Sequence, residues 1–275
     1  SIMYTSITNV DNDYSYWLGP DYKKNYKPIR RTSTIVSNHC SWLDAVILLK
    51  TLIPAFTPST EFESAPLLST FIDAIDSIYI PRGGSPEARA AALKVITDRQ
   101  DLIEEAGEYA PVLVFPEGGT TNGSHLIKFK KGAFVNEKRV TPVLLKYKLD
   151  ESCSPEWGSG DLFPLILINL SWLCCMRCDL IIMSDFEPTE YLYRNFENQG
   201  SERWEIFAWA LREAMAQQGD FRKCDMPLRC KVQYEDYMCM RKDNPTPLEI
   251  WNNYLPYSLR SKSMVSPCTR RPGKA

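Results

Sequence analysis

This sequence predicts an α/β fold with a mostly parallel sheet flanked by helices, on three observations. Short apolar segments alternate with helical ones along the chain. Pro111–Phe115 (PVLVF) is apolar throughout, as a strand covered on both faces requires. Pro86–Ala106 carries alanine, leucine and paired charges at helical spacing, with proline at its start and Gly107 after its end.

The elements follow in order. The first 30 residues are polar and aromatic, with Pro20 and Pro28, and read as an irregular amino-terminal segment. Thr32–Ser37 (TSTIVS) is a short strand, and the apolar run Trp42–Leu49 is the helix after it. Pro66–Ile75 reads as a short helix and Ser77–Ile80 as a strand, before the long helix and the PVLVF strand. Val140–Tyr147 and Cys178–Phe186 are further strands. Glu202–Met215 is a helix with Trp204, Phe207, Ala208, Leu211 and Met215 on one face. Residues 31–243 therefore form one domain, and 244–275, with five prolines and a basic excess, an extended tail.

The length, 275 residues, is ample for a buried core. Lys plus Arg total 32 and Asp plus Glu 34, a net charge of −2, which argues against nucleic acid as a partner. Any phosphate must be held by a local patch. No run reaches the roughly 18 apolar residues of a membrane span. The longest candidate, Leu162–Met176, contains Pro164 and Asn169 and suits a core or interfacial helix. The sequence opens on Ser1 rather than Met, which fits a trimmed amino terminus, and no signal peptide is visible. Nine irregularly spaced cysteines do not resemble a disulfide scaffold. Cys174, Cys175 and Cys178 lack the partners to complete a metal site, and read as buried thiols or lipidation candidates.

Four segments at predicted strand ends carry chemistry, and ligands bind along that edge of open α/β sheets. In the first, Ser37–Asp44 (SNHCSWLD), His39 is one of only two histidines. Five residues along a helix is about 140° of rotation, so His39 and Asp44 meet only if His39 lies in the loop and Asp44 in the first turn. The carboxylate would then orient the imidazole as a general base. Ser41-x-x-Asp44 is equally a helix capping box, and local sequence leaves both readings open. The second segment, Ile78–Gly84, sends Arg82 off a strand into a glycine pair, where a guanidinium fork can meet a phosphate. The third, Phe115–Gly123 (FPEGGTTNG), is a glycine-rich loop able to bring backbone N–H groups to an anion. Downstream, Lys128, Lys130, Lys131, Lys138 and Arg139 face Glu137 alone, which reads as a binding patch or a solvated face. The fourth, Val140–Val143, is by itself only a strand start.

In this order, from about Ile35 to Tyr147, the segments resemble the glycerophospholipid acyltransferases. That family's signature is Asn-His-x-x-x-x-Asp, an aromatic strand ending in Arg, Phe-Pro-Glu-Gly, then a strand with Pro. The Phe115–Gly123 loop with Leu126–Phe134 is most similar to the lysophosphatidylcholine and lysophosphatidylethanolamine branch. The resemblance implies a single acyltransferase domain that moves an acyl group from acyl-CoA to a free glycerol hydroxyl of a lysophospholipid. It implies His39 as base and Asp44 as its orienting partner. Arg82, Glu117, Gly118, Gly119 and Thr120 fall at acceptor-binding positions, and Thr141 and Pro142 at the acyl site. It implies no metal and no cofactor beyond acyl-CoA as substrate. It also implies membrane association, at the endoplasmic reticulum or a mitochondrial membrane, with apolar contact chiefly through Leu162–Cys175. Three positions depart from the family pattern: Ser59 for a usual Lys, Asp76 for a Gly and Gly119 for a Thr. These departures support a second reading, a degenerate acyltransferase-like lipid-binding or structural subunit of a membrane protein assembly.

Overall fold

Strand-forming segments pair as the alternation requires, with one reversal. The computed structural model describes residues 4–64, 66–80, 85–148, 166–167 and 176–238. Residues 1–225 make one compact unit and residues 226–275 a second. The first unit contains β1 (Tyr4–Val10), α1 (Ser15–Leu18), β2 (Thr34–Ser37), α2 (Leu43–Leu52), α3 (Pro66–Ala74), α4 (Pro86–Ala106) and β3 (Val112–Val114). Then come β4 (His125–Leu126), β5 (Val140–Lys148), β6 (Arg177–Met183), α5 (Glu190–Asn195), α6 (Arg203–Gly219) and β7 (Arg222–Lys223). Among the described residues the second unit supplies one helix, α7 (Leu228–Met238).

The main sheet runs β1-β6-β5-β2-β3. The β1/β6, β2/β5 and β2/β3 pairs are parallel, and β5/β6 is antiparallel. Alternating side chains divide its central strands between two cores. Ile35, Leu113, Val143 and Leu145 face Ile47 and Leu48 of α2. Val36, Val112, Val114 and Leu144 face the other way, into a larger core with Ile103 of α4 and Phe207, Leu211 and Met215 of α6. The sheet is thus covered on both faces, which is why PVLVF carries no polar residue. α4 is bounded as its sequence signals: the Ser85 hydroxyl accepts the Ala88 N–H, Pro86 follows, and Gly107 closes it at φ 72°.

The amino-terminal segment departs from the irregular reading. Residues 4–10 form β1, an edge strand in register with β6 from Tyr4 opposite Arg177 to Val10 opposite Met183. Its residues are half-buried or exposed, so no apolar alternation marks it. The aromatic stretch after it enters the core, where the Tyr14 ring lies 4.9 Å from that of Phe186. The predicted Ser77–Ile80 strand is an extended segment bonded to residues 56–60, with a single bridge at Ser59–Ile80. The 244–275 tail, Arg82 and all but residues 166, 167 and 176 of Leu162–Met176 lie outside the described residues. Among the described residues, no helix is long and apolar enough to cross a membrane.

Candidate active site

β2 ends at Ser37, and Asn38 extends its pairing by one side chain. The Asn38 amide donates to the Leu145 carbonyl at 2.9 Å and accepts the Leu145 N–H at 2.8 Å. A primary amide offers the same donor and acceptor as a peptide group, so it fastens the outgoing loop to β5. His39 follows in the loop and Asp44 lies in the first turn of α2. Their side chains meet at 2.8 Å, Nδ1 to Oδ2. The same Oδ2 accepts the N–H of Cys40 at 2.7 Å and of Ser41 at 2.9 Å, and the Ser41 hydroxyl accepts the Leu43 N–H at 3.2 Å. One carboxylate thus meets the histidine and supplies half of the expected capping box, the bond to the Ser41 N–H, while α2 has Trp42 at its N-cap with no side-chain cap bond. Asp44 is wholly buried.

Two further contacts fix the imidazole. Its ring stacks on Phe115 at 4.0 Å between centroids, 15° from parallel. Its peptide is held on both sides by the loop after β3: the His39 N–H donates to Glu117 Oε1 at 3.0 Å, and the His39 carbonyl accepts the Thr121 N–H at 2.8 Å. With Nδ1 on Asp44, the proton-accepting position is Nε2, on a side chain 18% exposed.

Glu117, expected at an acceptor-binding position, turns inward toward the His39 backbone. It is fully buried, and its second oxygen accepts the Ile127 N–H at 3.3 Å. Burial pushes its pKa up from 4.5 to about 7, against the opposing pull of those two N–H groups and, more distantly, Arg212. Glu117 thus holds the backbone of His39. Gly118 turns at φ 77°, and a Cβ there would collide with the Lys130 side chain. Gly119 is half-buried and Thr120 buried beside it.

Sequence reasoning passed over Tyr147. Its hydroxyl donates to Asp44 Oδ1 at 2.6 Å from the end of β5. The available signal was the β5 alternation, which puts Val143, Leu145 and Tyr147 on the α2 face.

A histidine, its carboxylate partner and the loop that clamps them lie within one stretch of chain, and the family model described as Acyltransferase matches residues 21–145. The chain is 29% identical over 208 residues to the lysophospholipid acyltransferase LPEAT1 of Arabidopsis thaliana, covering 74% of this chain and 49% of that protein. It is 31% identical over 162 residues to a lysophosphatidylcholine acyltransferase of Drosophila melanogaster, covering 57% of this chain and 28% of that protein. The chain thus spans half or less of these relatives' lengths. The structure has a TM-score of 0.44 to the 1-acyl-sn-glycerophosphate acyltransferase PlsC of Thermotoga maritima, at 17% identity, covering 79% of this chain and 73% of that one.

Other expected site residues lie elsewhere. Thr141 pairs with Ile35, and Leu145, which anchors Asn38, is four residues further on, about 13 Å along the strand. The Thr141 hydroxyl donates to Asp185 Oδ1 at 2.6 Å. Pro142 sits between the regular β5–β6 ladder and the Val140–Phe186 bridge, where a missing N–H breaks no ladder bond. The structure therefore separates the acyl-site candidates Thr141 and Pro142 from His39. The lysine-rich stretch does not act as one patch: Lys138 pairs with Asp101 and Glu104, and Arg139 with Glu187.

The departures also acquire structural explanations. Asp76 has φ 54°, the left-handed region where glycine is unstrained, and its carboxylate pairs with Arg99 at 2.7 Å. It adds backbone strain and a neutralised charge. Ser59 is buried at the bridge to Ile80, two residues before Arg82. Among the described residues, no cluster of His, Cys, Asp and Glu could hold a metal. Among the described residues, Cys40, Cys178, Cys224 and Cys230 are not in disulfides.

Proposed function

We propose that this protein transfers an acyl group from acyl-CoA to a free glycerol hydroxyl of a lysophospholipid. The observation that carries the reading is the His39–Asp44 pair, with Nδ1 on a buried carboxylate and the ring clamped by Phe115 and the Glu117–Thr121 loop. His39 Nε2 takes the hydroxyl proton as that oxygen attacks the thioester carbonyl. The tetrahedral adduct collapses by breaking the C–S bond, and the thiolate receives the proton from the imidazolium. Thioester and alcohol go in, ester and free thiol come out, and no acyl-enzyme forms. Asp44 stabilises the imidazolium in between.

The FPEGGTTNG loop and the names of the relatives favour a lysophosphatidylcholine or lysophosphatidylethanolamine acceptor over lysophosphatidic acid. Such acceptors reside in bilayers, so the protein works at a membrane surface, of the endoplasmic reticulum or mitochondria. Arg82 is assigned to the acceptor phosphate. Thiol release from acyl-CoA, measured against a panel of lysophospholipids, tests the whole reading. His39→Ala should lose activity while keeping its fold. Arg82→Ala should raise the acceptor constant roughly ten- to a hundredfold, with little change for acyl-CoA. Wild-type turnover in His39→Ala would refute the catalytic assignment, and equal acceptor constants would refute the phosphate role.

A further inference from the structure

Asp44 is as much in need of positioning as the histidine it orients. Its Oδ2 takes three donors: His39 Nδ1 and the N–H groups of Cys40 and Ser41. Its Oδ1 has the Tyr147 hydroxyl at 2.6 Å and, at 3.9 Å, the weak Cys40 thiol donor. These contacts come from two sides: the loop before α2 contributes His39, Cys40 and Ser41, and β5 contributes Tyr147. Tyr147 ties the Asp44 carboxylate itself to the sheet by a strong side-chain donor. The titratable groups facing Tyr147 are Asp44 from α2, Cys40 from the loop and Cys178 from β6. Burial first, then the Asp44 charge, holds the phenol well above its ordinary pKa, so it donates throughout the working range. The Cys178 thiol is likewise pushed up by burial and by Asp44. Among these contacts His39 is the one basic group, so the phenol shares carboxylate charge that would otherwise fall wholly on the imidazole.

We propose that Tyr147 is a positioning residue for catalysis: its hydroxyl fixes the Asp44 carboxylate and sets how strongly that carboxylate pulls on the His39 ring. The assignment rests on the acyl-transfer reading, and a readout independent of turnover separates the two. Tyr147→Phe keeps the ring beside Leu43, Met176 and Trp42 and removes only the donor. Turnover should fall about tenfold with the acceptor constant unchanged. The acid limb of the pH profile should move to higher pH, because a carboxylate with one donor fewer stabilises the imidazolium more. Incorporating 3-fluorotyrosine at position 147, a more acidic phenol and a stronger donor, should move the limb the opposite way. The His39 ring titration, followed by NMR, should shift with the same signs even if no substrate is turned over.

Wild-type turnover and titration in Tyr147→Phe would overturn the proposal. So would a loss of thermal stability and activity with an unmoved His39 titration, which is the signature of packing alone. If Tyr147→Phe fails to fold, the fluorotyrosine protein decides, and an unshifted profile there overturns the proposal.

Discussion

Replacing Glu117 with Gln should abolish a pH dependence of stability that the wild-type protein carries in this one side chain. Glu117 titrates near 4.5 when exposed and near 7 in the folded chain, because burial disfavours its charged form. Below about pH 4.5 both folded and unfolded chains hold the proton. Between about 4.5 and 7 only the folded chain holds it, so each pH unit removes about 1.4 kcal/mol of stability. Above about 7 neither holds it, and the loss levels off at about 3 kcal/mol. Glutamine has nearly the same shape, keeps an oxygen for the His39 N–H, and has no proton to lose. Urea unfolding of both proteins at a series of pH values isolates the effect, because every other titrating group cancels in the difference. The Gln variant should gain on the wild type by about 3 kcal/mol from pH 4.5 to 8. Its turnover should stay within a fewfold of wild type, and its acceptor constant should not change. A difference in stability independent of pH would refute the buried, titrating carboxylate. A large rise in the acceptor constant alone would return Glu117 to the substrate.

Asn38→Ala removes both bonds to Leu145 and leaves a buried N–H and carbonyl without partners, so the urea midpoint should fall by the equivalent of about 3 kcal/mol. Asp76→Gly relieves left-handed strain but loses an exposed pair with Arg99, and should melt within a degree or two of wild type. Asp76→Ala loses the pair and keeps the strain, so it should be less stable than Asp76→Gly by about 1 kcal/mol by thermal denaturation.

What was legible in the sequence follows from which forces leave a local mark. Burial on both faces wrote itself into PVLVF, and the ends of α4 into Ser85, Pro86 and Gly107. The His39–Asp44 pairing was readable because a helix start fixes the geometry of five residues. β1 was not readable, since an edge strand (YTSITNV) needs backbone partners rather than apolar ones. Glu117 read as acceptor-facing because a sequence does not show whether a carboxylate turns inward. Thr141 and Pro142 were placed by order in the chain, whereas β2–β5 register puts them opposite Ile35 and Val36, upstream of the site. Asp76 looked like an added anion, but a positive φ and a neighbouring arginine emerge only once the chain has folded.

The clamp on the His39 peptide has a kinetic consequence. Leu145 is 107 residues from Asn38, Glu117 is 78 residues from His39, and Thr121 is 82. Closing such loops is slow compared with forming the first turns of α2, which need only local bonds. A refolding chain therefore acquires the helix well before it acquires the clamp on His39. The native His39 ring environment, followed by NMR in a refolding experiment, should return later than helical circular dichroism and coincide with completion of the β2–β3–β5 sheet.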